Sequence, residues 1–193
     1  MNIKRILPLC ASLLLTAGTA SAAHIWEDPS GWWTGISASD PNAPRYTGNE
    51  LSLDLFASYL NPEGNLDDLF NTNIRHGAWG GGAGLNYFFT PILGIGADFN
   101  ASDKGDDAGW FDYTTANLYL RFPLGNSGLA PYVFGGGGRG MWPVWDWVYG
   151  GGVGLEYRWN PAMGVFSDAR FLWNDRSTEL DTLTIRAGFR IIF

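Results

Sequence analysis

The sequence is short of cysteine, lysine and histidine, has no long apolar run, and carries no excess of positive charge. Each shortage excludes something. Cys10 is the only cysteine in 193 residues, so a disulfide framework is excluded. Lys4 and Lys104 are the only lysines, although soluble domains use lysine freely on their surfaces. Positive charge falls almost wholly on arginine, which suits enclosed ion pairs better than solvated faces. A formal net charge of −7 does not supply the basic stripe that nucleic acid requires, so no nucleic-acid partner is expected. His24 and His76 are the two histidines, and neither has a serine and a carboxylate at a suggestive spacing. No catalytic residue, metal site or cofactor is therefore assigned, and an enzyme is not expected. Beyond the first residues, no apolar stretch approaches the roughly 20 residues a spanning helix needs. That leaves an exported soluble domain or a membrane barrel.

What is abundant is glycine, with 27 residues, and aromatic side chains at 16%. The N-terminus reads as a secretory signal over residues 1–22. Lys4 and Arg5 are followed by the apolar stretch Ile6 to Ala17 and the small residues Ala20-Ser21-Ala22. Cleavage after Ala22 would discard Cys10. The segment 23–49 contains Trp26, Trp32 and Trp33 among several prolines. Three placements stay open for it: along a membrane interface, in the barrel mouth, or as a short extra strand.

Residues 50–193 read as one domain. In the stretch Leu183 to Phe193 the odd positions are Leu183, Ile185, Ala187, Phe189, Ile191 and Phe193, while Thr184, Arg186, Gly188 and Arg190 alternate with them. Such alternation marks a strand with two unlike faces. The same pattern recurs and predicts strands over 51–60, 77–89, 92–100, 111–123, 130–140, 147–159, 163–173 and 183–193. Short turns rich in Pro, Gly and Asn alternate with longer connections. Those longer connections carry Glu63, Asp67, Asp68, Asp103, Asp106, Asp107, Asp175, Glu179 and Asp181. A solvated acidic surface accounts for them better than a divalent-cation site. The fold class is all-β: an eight-stranded antiparallel up-and-down transmembrane β-barrel, an even count being the rule for single-chain bacterial barrels.

Aromatic residues cluster near both ends of the strands, as amphipathic rings do at membrane interfaces. The two belts are expected to comprise Tyr59, Trp79, Trp110, Tyr113, Trp147 and Trp173 at one end, with Tyr87, Phe89, Phe122, Tyr132, Tyr157 and Trp159 at the other. Parity places Asp54, Asp98, Arg121, Arg139, Glu156, Arg158, Asp168, Arg170, Arg186 and Arg190 in the lumen as a structural ion-pair network. An isolated buried charge is too costly to tolerate, so partners are required. Strand heights pair Arg190 with Asp54 and Asp98 with Arg121, and set Asp168 and Arg170 facing Glu156, Arg158 and Arg186. The spacing Gly135-x-Gly137-x-x-Gly140 matches a dinucleotide fingerprint literally, but it lies inside an alternating strand with no helix after it. Strand curvature, and room for large side chains, explain such glycines better.

Several stretches carry a family resemblance. They are Trp79 to Pro91 (WGGGAGLNYFFTP), Leu120 to Gly125 (LRFPLG), Ala130 to Gly138 (APYVFGGGG), Gly152 to Arg158 (GVGLEYR) and the last strand. On these the chain resembles the outer-membrane β-barrel superfamily, OmpA-type transmembrane barrels and small porin-like proteins. The resemblance implies a place in the Gram-negative outer membrane, with outer-membrane lipid and lipopolysaccharide as surroundings. It also implies that Phe189, Ile191 and Phe193 form the signal read by the barrel-assembly machinery. The expected role is structural, in envelope integrity or surface interaction. A narrow porin-like channel or carrier for small or apolar solutes is the first alternative, and a lipid-modifying enzyme the second.

Overall fold

Alternating apolar and polar residues make every segment two-faced, and eight such segments can hide their polar faces together only by curling into a closed ring. The computed structural model of the protein describes residues 44–61, 78–103, 112–141, 146–175 and 181–193. Its strands are β1 (Glu50–Asn61), β2 (Ala78–Phe88), β3 (Leu93–Ser102), β4 (Tyr113–Arg121), β5 (Leu129–Gly140), β6 (Asp146–Asn160), β7 (Met163–Asn174) and β8 (Thr182–Ile192). Each pairs antiparallel with its sequence neighbours, and β8 returns to β1 to close the barrel. The expected strands are all present. β4 stops at Arg121, before Pro123, which has no N–H to extend the ladder.

Three tight turns gather at one end. Thr90 Oγ1 accepts hydrogen bonds from the amides of Ile92 and Leu93 (3.2 and 2.9 Å), fixing the turn between β2 and β3. Asn160 Oδ1 does the same for the amides of Ala162 and Met163 before β7. Between β4 and β5, Gly128 has φ +76°, and a side chain there would run into the Arg158 carbonyl oxygen and the Arg45 guanidinium. Only glycine serves at that position. The connections at the other end lie largely outside the described residues, as do 1–43, His24, His76 and Trp110.

Even-numbered residues face inward in seven strands, and odd-numbered residues in β4. The inside is crowded. Phe88, Tyr119, Tyr132 and Phe134 form one buried aromatic cluster, with Tyr119 and Phe134 stacked at 5.3 Å. Inward glycines on neighbouring strands make room for these rings. A Cβ on Gly94 would lie 2.6 Å from the Phe88 ring, and one on Gly152 would lie 2.6 Å from that of Phe134. Eight strands leave an interior just wide enough for side chains to fill, and these rings help fill it.

The outer face is predominantly apolar, with Trp173 as the exposed large apolar residue of β7. Leu55, Leu85, Ile95, Leu118, Val133, Val153, Leu155 and Phe189 are all exposed there. Of the expected belts, Trp79, Phe89, Phe122, Trp147, Tyr157, Trp159 and Trp173 are exposed, and Tyr59 and Tyr87 are partly so. Tyr113 and Tyr132 are corrections. Both sit on the inward parity of their strands and are buried at 4% and 3% exposure, Tyr132 in the aromatic cluster and Tyr113 against Leu60 and Leu172. Nearness to a strand end does not decide which way a ring points; parity does.

Candidate functional site: a lumenal ion-pair core

The charged residues inside the barrel form two groups. The first lies toward the turn end and sets three carboxylates, Glu50, Asp54 and Glu156, against three guanidiniums, Arg121, Arg158 and Arg190. Asp54 and Arg190 are register partners across the β1–β8 seam. Arg190 Nε and Nη2 donate to the two Asp54 oxygens at 2.7 and 2.6 Å, while its Nη1 donates to Glu156 at 2.5 Å. Glu156 also accepts from Arg158 Nε at 2.5 Å. Residues 156 and 158, two apart on one strand, point the same way. Glu50 takes Arg158 through both of its oxygens (3.0 and 3.1 Å) and Arg121 at 2.9 Å.

The second group lies beyond the aromatic cluster, toward the loop end. Asp98 accepts both Nη atoms of Arg170 (2.9 and 2.7 Å), with further bonds from Thr115 and Asn117. Asp168 accepts Nε and Nη2 of Arg186 at 2.7 and 2.9 Å, and the Tyr132 hydroxyl at 2.8 Å. Arg186 Nη1 also approaches Asp98 at 3.3 Å, linking the two pairs. Each group balances its own charge. That balance, together with bidentate geometry, lets fully buried ions persist at tolerable cost.

The expected lumenal set is thus largely gathered, with changes of partner. Arg190 meets Asp54, as the strand heights imply. Arg121 does not reach Asp98; it joins Glu50 and Glu156, while Asp98 is taken by Arg170 and Arg186. Arg121 closes β4 at the turn end and Asp98 sits on β3 across from Thr115, six residues along β4. Asp168 pairs with Arg186 alone of its expected neighbours. Arg139 is not lumenal at all. Odd parity in β5 turns it outward, exposed, with its guanidinium 4.7 Å from the Trp147 ring centroid.

Two participants escape the sequence reading. Glu50 stands two residues before Ser52 and four before Asp54, so extending the inward parity backward would have found it. Tyr46 had no such signal. Residues 44–49 fold across the turn-end mouth, where the Tyr46 ring lies 4.3 Å from the Arg158 guanidinium and 4.7 Å from that of Arg121. Its hydroxyl donates to the Gly128 carbonyl at 2.6 Å. Arg158 Nη1 donates to the Arg45 carbonyl at 2.7 Å, and Arg45 Nη1 to that of Arg158 at 2.8 Å. Burial, reinforced by the Glu156 carboxylate, pushes the Tyr46 phenol well above the ordinary tyrosine range. Of the three placements open for the N-terminal segment, residues 44–49 take the barrel mouth.

Among the described residues no group of His, Cys, Asp and Glu is arranged to hold a metal ion. Of the assembly-signal residues, Phe189 and Phe193 are exposed on the outer face, Ile191 is partly covered, and the Phe193 amide donates to the Leu51 carbonyl at 2.8 Å.

No family model and no curated protein matches the sequence. Solved structures do match the fold. The N-terminal β-barrel domain of Pseudomonas aeruginosa OprF superposes with a TM-score of 0.54 at 14% identity, over 76% of this chain and 99% of that one. Ail, the attachment invasion locus protein of Yersinia pestis, gives 0.50 at 15% identity, again over 76% and 99%. The closed eight-strand ring and its antiparallel order therefore give this chain the fold of the small outer-membrane barrels.

Proposed function

We propose that the protein is a non-enzymatic integral outer-membrane barrel, with a closed lumen, that contributes to envelope integrity or surface interaction through its loops. The supporting observation is the inversion of polarity. Leucine, isoleucine, valine and phenylalanine side chains stand exposed on every side, while arginine and carboxylate side chains are buried within. In water that arrangement would leave a continuous apolar girdle unsatisfied; in a bilayer it is the stable one, because the strand ladder is closed and no backbone edge meets lipid. Outer-membrane lipid and lipopolysaccharide are the surroundings this reading supplies, and the barrel-assembly machinery the partner in biogenesis.

The structural role rests on the lumen. Two charge-balanced groups, an aromatic cluster and the 44–49 strap occupy successive levels from loop end to turn end. The test is membrane fractionation followed by gel migration before and after boiling, then planar-bilayer recording. The expected result is a heat-modifiable band in the membrane fraction and a silent bilayer. Recovery from an aqueous extract without detergent would reject the membrane reading, and steady single-channel steps would reject the closed lumen.

A further inference from the structure

Arg139 has no place in the lumenal network, and its surroundings differ from those of every other described arginine. Arg121, Arg158, Arg170, Arg186 and Arg190 are buried inside, and Arg45 is partly covered at the mouth; Arg139 alone is exposed on the outer face. It makes no ion pair with a described residue. It stands one residue from the loop end of β5, in a register row that runs Thr114, Arg139, Trp147 across β4, β5 and β6. The guanidinium lies over the indole face at 4.7 Å from the centroid, which holds the cation at the rim by cation–π attraction. A hydroxyl, a guanidinium and an indole thus stand on neighbouring strands at the rim of an apolar wall.

Below that row the wall is unusually shallow. The next two rows read Ala116, Gly137, Tyr149 and Leu118, Gly135, Gly151. A Cβ built on Gly135 would find only the Gly150 carbonyl oxygen within reach, at 3.5 Å, so no described side chain covers Gly135. Tyr149, stacked on Trp173 at 6.0 Å, bounds one side, and the exposed Leu118 the other.

We infer that Arg139 and Trp147 hold a phosphate of lipopolysaccharide at the loop-end rim, with one acyl chain lying in the bed formed by Ala116, Gly137, Gly135 and Gly151. The inference rests on the outer-membrane reading above, which turns the loop end toward the outer leaflet. Charge complementarity selects the occupant. A lone cation among belt aromatics is stable where an anionic headgroup meets it, and bidentate recognition of phosphate is what a guanidinium does best. The apolar bed directly beneath it favours an acylated phosphate over a soluble anion, since only the former also covers the bed.

The experiment uses the folded full-length chain in detergent, titrated with rough lipopolysaccharide and, separately, with phosphatidylglycerol, bound lipid being counted by native mass spectrometry. Lipopolysaccharide should bind in preference to phosphatidylglycerol. Arg139→Gln should weaken it about fivefold, the scale of one exposed charge-assisted contact, and Arg139→Lys should restore part of the loss. Gly135→Leu, which fills the bed without touching the charge, should also weaken binding. Heat-modifiable migration confirms that each variant is folded, and Arg139→Gln decides alone if Gly135→Leu does not fold. Equal binding by Arg139→Gln and the parent, or equal affinity for phosphatidylglycerol, would overturn the inference. Failure of the parent to enter membranes would instead overturn the outer-membrane reading.

Discussion

Arg190 and Asp54 face each other across the seam where the last strand meets the first, joined by two hydrogen bonds of 2.7 and 2.6 Å. The barrel is therefore fastened at its closing edge by a buried ion pair as well as by the backbone ladder. Asp54→Asn strands a guanidinium whose remaining acid, Glu156, is shared with Arg158. Removing one partner of a buried pair costs about 3–5 kcal/mol. The double change Asp54→Leu with Arg190→Met should recover much of that loss, since an apolar pair leaves no uncompensated charge. Urea unfolding in lipid vesicles measures both, and equal losses in the single and double variants would contradict the assignment.

The inward glycines are predicted to act as sockets. Gly94 is the register partner of Phe88, and its missing Cβ is what the ring occupies. Gly94→Ala should destabilise by about 1–3 kcal/mol through overpacking. Adding Phe88→Leu should return part of that, so the two changes should be non-additive in a double-mutant cycle. Strict additivity would show that ring and socket are unrelated.

Tyr46 gives a prediction in pH. Its phenol is held above the ordinary value of 10.0, so the folded chain keeps a proton that the unfolded chain has lost. The strap's contribution is thus complete below about pH 10 and declines as pH rises beyond it. A difference titration at 295 nm between the parent and Tyr46→Phe should show no phenolate step from Tyr46 near pH 10, where a free tyrosine titrates. A phenolate step near pH 10 would mean that the strap does not stay docked.

Deleting Phe193 removes the amide that donates to Leu51 and the exposed terminal ring. Assembly in cells should fall, read as loss of the heat-modifiable band from the outer-membrane fraction. Refolding in detergent from urea should change little, because one exposed ring contributes little to the folded barrel. Normal assembly without Phe193 would remove it from the recognition signal.

The strands were legible because period-two alternation is a local property, visible wherever one face must differ from the other. Asp54 opposite Arg190 was legible because both count from fixed ends, the first strand and the last. Arg121 was harder. Its separation from Asp98 rests on the β3–β4 register, which sets Asp98 opposite Thr115 and is not visible in the alternation of either strand alone. Tyr113 and Tyr132 show another failure, in which nearness to a strand end outweighed parity, and Arg139 a miscount of parity, since the inward residues of β5 are the even-numbered ones. Tyr46 was not legible at all, since its position depends on a bend at Asn49, which has φ 58°, and on a mouth that exists only once the barrel has closed.

The polarity inversion itself is most directly tested by nitroxide labels at single introduced cysteines, outward at Leu85→Cys, Leu118→Cys, Val153→Cys and Phe189→Cys, in a Cys10-free chain reconstituted in bilayers. Collision with dissolved oxygen should exceed collision with a water-soluble nickel chelate at all four sites, which lie on four different strands. Chelate access equal to that of a label in water, at any of these sites, would contradict a barrel whose outer wall lies in lipid.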